Sequence, residues 1–425
     1  MVCWTSGVST LRLLIMKTGK ARAVLLSVIA LSVSSATGLA DEVITKPSTA
    51  KTIILAIDGG GIKGVIPATF IRHIESVLEK PSYQLFDIIG GTSTGGIITA
   101  ALTTPRESTG IPYTAKELVE IYRKDGDQIF LAQGCEIEQC ATYYADNGSG
   151  NGIEPFLRKM YGHDLSLAHS RDKVQSLPDN RVKHMFTTSY IVNNSQRKVS
   201  PPVRGRNFGP YLFNWFDAVN RPDTDNYAVW EAARGTSAAP TYFPIAHVGG
   251  GVSPRSTAAN KWVVDGGTMS NNPAVWGVTE ALRIGLALRL EEIIVISLGT
   301  GIYEGGAGVG INSNAVKDIV PEDGNWSTLP WMVEKLDDLE GADHSRGALM
   351  SSILEAVQSV THSQLTALKQ VGLKYYRLEP KLTYSQSQMD NIDPNNIQSL
   401  MATANTYLKG EGAEIFEAVI HELRE

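Results

Sequence analysis

Two short apolar runs, Thr52 to Ile57 and Leu85 to Ile89, are each followed by a glycine-rich turn, and this pairing constrains the fold more than any other feature of the chain. The turns read Asp58-Gly59-Gly60-Gly61-Ile62-Lys63-Gly64 and Gly91-Thr92-Ser93-Thr94-Gly95-Gly96. Brief apolar runs bounded by turn signals read as fully buried strands. Helical spacing follows the first turn: Ile66, Phe70, Ile71, Ile74, Val77 and Leu78 recur between Ile66 and Glu79. Pro67 sits in the first turn of that helix, where its missing N–H costs little. Gly95 to Leu102 reads as the helix behind the second turn. Strand, helix, strand, helix with short links predicts an α/β chain, a three-layer α/β/α fold with a mainly parallel central sheet.

Further strands are expected at Met185 to Val192, Lys261 to Val264, Ile293 to Leu298 and Lys374 to Leu378. Helices are expected between Ala274 and Leu288, at Leu349 to Lys369 and at Gln398 to Leu408. Residues 104–180 form a loop-rich insertion with helices near Ala115 to Lys124 and Glu154 to Tyr161, and Thr300 to Gly310 reads as a glycine-rich loop. No linker or internal repeat divides the chain, so residues 41–425 read as one domain with a helical C-terminal part.

The first forty residues differ from the rest. Lys17, Lys20 and Arg22 precede the apolar run Ala23 to Val33, and small residues follow up to Ala40, the order of a secretory signal peptide cleaved before Asp41. Met16 is an alternative start, and a membrane anchor is the rival reading of the run. An exported protein, secreted or periplasmic, is therefore expected. Cleavage removes Arg12, Lys17, Lys20 and Arg22 and no acid, which leaves 34 basic against 44 acidic residues and a formal charge of −10. So acidic a body is a poor partner for nucleic acid. Cys135 and Cys140 then remain, as a small disulfide loop or as two free thiols, and without a nearby His pair they make a poor zinc site.

Ser93 stands at the centre of Gly-x-Ser-x-Gly, where small neighbours let a strand-to-helix elbow turn sharply and expose one hydroxyl. The first turn also matches Gly-x-Gly-x-x-Gly, at Gly59, Gly61 and Gly64, which alone would suggest a dinucleotide site. Asp58 would put a carboxylate beside the pyrophosphate, and the second strand ends in Gly-Gly-Thr-Ser where a ribose-binding acid belongs. The same backbone amides at a helix start suit the oxyanion of an acyl-transfer intermediate. A serine hydroxyl needs a base. Asp265, in Asp265-Gly266-Gly267-Thr268-Met269-Ser270-Asn271-Asn272-Pro273, stands at the end of the strand Lys261 to Val264. A Ser-Asp-His triad using His344, His362 or His421 is the rival arrangement. Ser237 to Phe243 either lines an acyl pocket or packs in the core, and Trp326 and Trp331 either meet lipid or pack on the sheet.

With the three motifs in this order, the chain resembles the patatin-like phospholipases, or lipid acyl hydrolases. Thr236-Ser-Ala-Ala-Pro-Thr-Tyr-Phe243, Leu298-Gly-Thr-Gly301 and Tyr375-Tyr-Arg-Leu378 extend the likeness from about Lys51 to about Leu408. The resemblance implies a Ser93–Asp265 dyad without histidine, an acyl-enzyme on Ser93, and an oxyanion hole at Gly59, Gly60 and Gly61. Gly64, Gly91, Gly95, Gly266 and Gly267 would support the motifs. It implies no cofactor and no metal, a lipid substrate, and transient contact with a membrane or micelle surface. A fold-keeping lipid-binding or storage protein is the alternative.

Overall fold

The computed structural model describes residues 51–133, 141–194, 208–249, 258–303 and 348–425. The predicted leader, Cys135, Cys140, Trp326, Trp331 and His344 lie outside them.

The strands are β1 (Thr52–Ile57), β2 (Ile88–Gly91), β3 (His184–Asn194), β4 (Gly209–Asn214), β5 (Ala246–Val248), β6 (Lys261–Asp265), β7 (Ile293–Leu298) and β8 (Lys374–Leu378). They form one sheet in the order β5-β6-β3-β2-β1-β7-β8, with β4 paired to β3. The pairs β1–β2, β1–β7, β2–β3 and β7–β8 are parallel; β4 and β6 pair antiparallel with β3, and β5 antiparallel with β6.

All six residues of β1 are buried, as a parallel strand covered on both faces requires. Its alternate side chains divide the core. Ile53, Leu55 and Ile57 join a cluster with Phe70 and Ile71 of the helix Val65–Leu78, Ile98 of Thr94–Thr103 and Leu400 of Pro394–Lys409. Ile54 and Ala56 face the other way, toward Val278 of the helix Ala274–Arg283 and Leu365 of Ala348–Leu368. Helices on both faces of a mostly parallel sheet make the three layers.

β2 begins three residues later than its apolar run predicts. Leu85 and Phe86 are buried, but their N–H groups close a turn on the Ser82 carbonyl at 3.0 and 3.3 Å. The Asp87 carboxylate then accepts the Ile53 N–H at 2.8 Å, so the ladder to β1 starts at Ile88.

The insertion holds more helix than predicted. Beside Ala115–Lys124 and Ile153–Tyr161 it contains Gly126–Ile129 and Leu167–Gln175. The last of these is mostly polar and buries only Leu167, Ser170 and Val174, which leaves little periodicity to read.

Candidate active site

The carboxyl ends of β1 and β2 and the end of β6 meet at one place. Ser93 has φ 55° and ψ −122°, a backbone region that costs a non-glycine residue roughly 1–3 kcal/mol. Its N–H donates to the Thr236 hydroxyl at 2.9 Å, and its carbonyl accepts the Ile97 N–H at 3.0 Å to start the helix Thr94–Thr103. The elbow turns tightly because nothing but hydrogen fits at two points. A Cβ on Gly91 would enter the Gly95 backbone, and one on Gly95 would enter the Ile57 carbonyl.

Asp265 closes β6 opposite Ser189 of β3 and is 5% exposed. Its N–H donates to the Ala238 carbonyl at 3.0 Å, and its Oδ1 accepts the Gly267 N–H at 2.7 Å. Burial pushes its carboxyl up to about 6; the Gly267 N–H, a hydrogen bond from the Ser93 side chain and the charge of Arg234 hold it from rising further. Arg234 is itself buried, with Nε on Glu154 at 3.2 Å and Nη2 on the Pro244 carbonyl at 2.6 Å.

The first glycine turn lies against this pair: a Cβ on Gly59 would sit 3.1 Å from that of Ser93. Its amides are not equivalent. The Gly59 N–H, expected among the oxyanion donors, donates to the Asn271 carbonyl at 3.2 Å. Among the described residues, the N–H groups of Gly60 and Gly61 have no acceptor. Farther along, Ile62 donates to the Met389 carbonyl at 2.8 Å and Lys63 to that of Gly60 at 3.2 Å. Gly61 has φ 60°, and a Cβ there would run into Met389, so the turn accepts only glycine at this point.

Of the rival bases, His362 bonds the Tyr375 hydroxyl at 3.1 Å and His421 is an exposed residue on the last helix, beside Glu425. Neither stands at Ser93 or Asp265. His247 stacks on Trp262 at 4.4 Å. Ala238, Tyr242 and Phe243 are buried in the main cluster, Ala239 and Pro240 are partly buried and Thr241 is exposed, and the segment carries the Ala238 carbonyl that fixes Asp265. Among the described residues no group of three His, Cys, Asp or Glu side chains could hold a metal ion, and no helix is long and apolar enough to cross a membrane.

A family model described as patatin-like phospholipase matches residues 55–275, more than half of the chain. The chain belongs to the patatin-like phospholipase family. It is similar over 93% of its length to patatin group J-1 of Solanum tuberosum, 26% identical over 413 residues and 91% of that protein. Patatin group M-3 of the same plant is 27% identical over 417 residues, with the same two coverages. VipD from Legionella pneumophila matches in structure at 12% identity and a TM-score of 0.35, covering 85% of this chain and 68% of that one. Membership in the patatin-like family supports lipid acyl hydrolase activity in general.

The residues that support this patatin-like site were in view without a role. Thr236, Asn271, Thr300 and Arg377 all lie in blocks that carried the resemblance, but their use depends on contacts across the sheet. Thr300 donates its hydroxyl to the Gly59 carbonyl at 2.8 Å. Arg377, on β8, donates to the Asp58 carboxylate at 2.9 and 2.6 Å. No local spacing announces a partner 319 positions away.

Proposed function

We propose that this protein hydrolyses ester-linked fatty acids of phospholipids or other glycerolipids by a Ser93–Asp265 dyad, as an exported enzyme of lipid catabolism. The observation that carries the reading is the strained Ser93 elbow set between a buried carboxylate and two unengaged backbone amides. As Ser93 Oγ attacks the ester carbonyl, its proton passes to Asp265. A carboxylate is an ordinarily weak base, and burial makes this one a better match for a hydroxyl proton near neutral pH. The Gly60 and Gly61 N–H groups receive the developing oxyanion, each such donor being worth roughly 2.7 to 4 kcal/mol of barrier. Collapse expels the alcohol, which takes the proton from Asp265 and leaves the acyl group on Ser93. Water then gives a proton to Asp265 and attacks the acyl-enzyme, and as the fatty acid leaves Ser93 Oγ takes that proton back, restoring serine and carboxylate.

The test is release of fatty acid from phospholipid, and of nitrophenol from a short-chain nitrophenyl ester, by the wild type and by Ser93→Ala. The reading expects turnover in the first and its loss in the second. Equal rates would sink it.

A further inference from the structure

The Asp58 carboxylate is fully buried, directly ahead of the glycines, and the reaction has no use for it. Arg377 grips it with both nitrogens of its fork, Nη1 on Oδ1 at 2.9 Å and Nη2 on Oδ2 at 2.6 Å. The same guanidinium donates to Glu379, Nη2 at 2.7 Å and Nε at 3.2 Å, and to the Ser297 hydroxyl at 2.8 Å. Glu379 in turn accepts Gln358 Nε2 at 2.7 Å, and Gln358 Oε1 accepts Asn271 Nδ2 at 3.0 Å. Asn271 closes the circuit on the glycine turn, since its carbonyl takes the Gly59 N–H and its amide reaches the Gly59 carbonyl at 3.5 Å. The Asp58–Gly59 step is therefore held from both sides by one polar circuit built on β8, the helix Ala348–Leu368 and the segment after β6.

Resting on the hydrolase reading above, we propose that Arg377 is the positioning residue of the oxyanion loop. Acting through Asp58, and joined by Glu379 and Gln358 to Asn271, it fixes the backbone so that Gly59 is retired as a donor and Gly60 and Gly61 face the reacting carbonyl. Only a planar fork meets this geometry. A lysine keeps the charge but as a single point, and cannot serve both Asp58 oxygens and Glu379 together.

The experiment uses the full mature chain as wild type, Arg377→Lys and Gln358→Leu, with active sites counted by fluorophosphonate labelling taken to completion. Oxyanion donors act on the transition state, so their misplacement lowers kcat and leaves KM alone. Arg377→Lys is expected to lose about 100-fold in kcat per labelled site, with KM within about threefold of the wild type. Gln358→Leu, which disturbs the circuit without leaving a buried charge unpaired, is expected to lose about tenfold and serves if Arg377→Lys does not fold. Hydrogen exchange of the peptide holding Asp58 to Gly64 should be faster in Arg377→Lys, and it does not depend on turnover. Wild-type kcat per site in a folded variant, or unchanged exchange in that peptide, overturns the assignment. Ester hydrolysis that survives Ser93→Ala defeats the hydrolase reading instead, and the exchange measurement still decides whether Arg377 holds the loop.

Discussion

The Thr236 hydroxyl accepts the Ser93 N–H at 2.9 Å, so the last residue of the buried helix Val229–Thr236 holds the strained elbow at Ser93. Thr236→Val keeps the shape and leaves that N–H without its acceptor. A buried donor left unpaired costs about 1–3 kcal/mol, which urea unfolding should report, and turnover should fall as the elbow relaxes. Thr236→Ser restores the acceptor and should recover most of the activity. Equal losses in both variants would mean that the threonine methyl, packed toward Gly96, matters more than its oxygen.

In the proposed dyad, Asp265 sets the acid side of the pH profile. Burial raises its carboxyl from 3.8 to about 6, and only the ionised form can take the Ser93 proton. Activity should therefore rise with pH through about 6 and level off above, measured as kcat/KM of nitrophenyl ester hydrolysis. A limb near pH 4 would show an ordinary solvated carboxylate at work.

The parallel core was legible because its strands are continuous apolar runs and its turns are glycine-rich. Ile293 to Leu298 and Lys374 to Leu378 fall where the sequence predicts them. β5 has three residues and β4 opens with Gly-Pro, so neither offers a run to read. The helix Val229–Thr236 is buried throughout, Glu231 and Arg234 included, so its polar residues do not mark a solvent face. For the candidate site, motifs mark Ser93, Asp265 and the glycines that the fold brings together, whereas the Asn271 carbonyl that occupies the Gly59 N–H depends on backbone direction, which no residue type encodes.

The raised pKa of Asp265 has a cost in stability. Between 3.8 and about 6 the folded chain keeps a proton that the unfolded chain has released, so stability falls as pH rises through that window and stays lower above it. The rise corresponds to about 3 kcal/mol at most. Asp265→Asn removes the buried charge and still offers an oxygen to the Gly267 N–H. The variant should be inactive yet no less stable than the wild type, with its advantage in melting temperature small at pH 4 and largest at pH 8. A variant that melts lower at pH 8 would count against this account.

Gly95, like Gly91, should tolerate no side chain in the elbow. An added Cβ on Gly95 would meet the Ile57 carbonyl and lie 2.7 Å from the Asp58 carbonyl, both backbone atoms of β1 and the glycine turn that follows it. Neither can yield without moving Ser93 away from Gly60 and Gly61. Gly95→Ala should therefore lose on the order of 3 kcal/mol of stability together with most of its turnover. Gly126→Ala is the control. Its Cβ would find side-chain atoms of Ile392 and Ile62 at 3.4 Å, ordinary contact, and alanine favours a helix over glycine by roughly 0.5–1 kcal/mol. Thermal melts and ester turnover of the two variants decide the matter: a stable, active Gly95→Ala would mean that the elbow and β1 are not in the close contact that places Ser93.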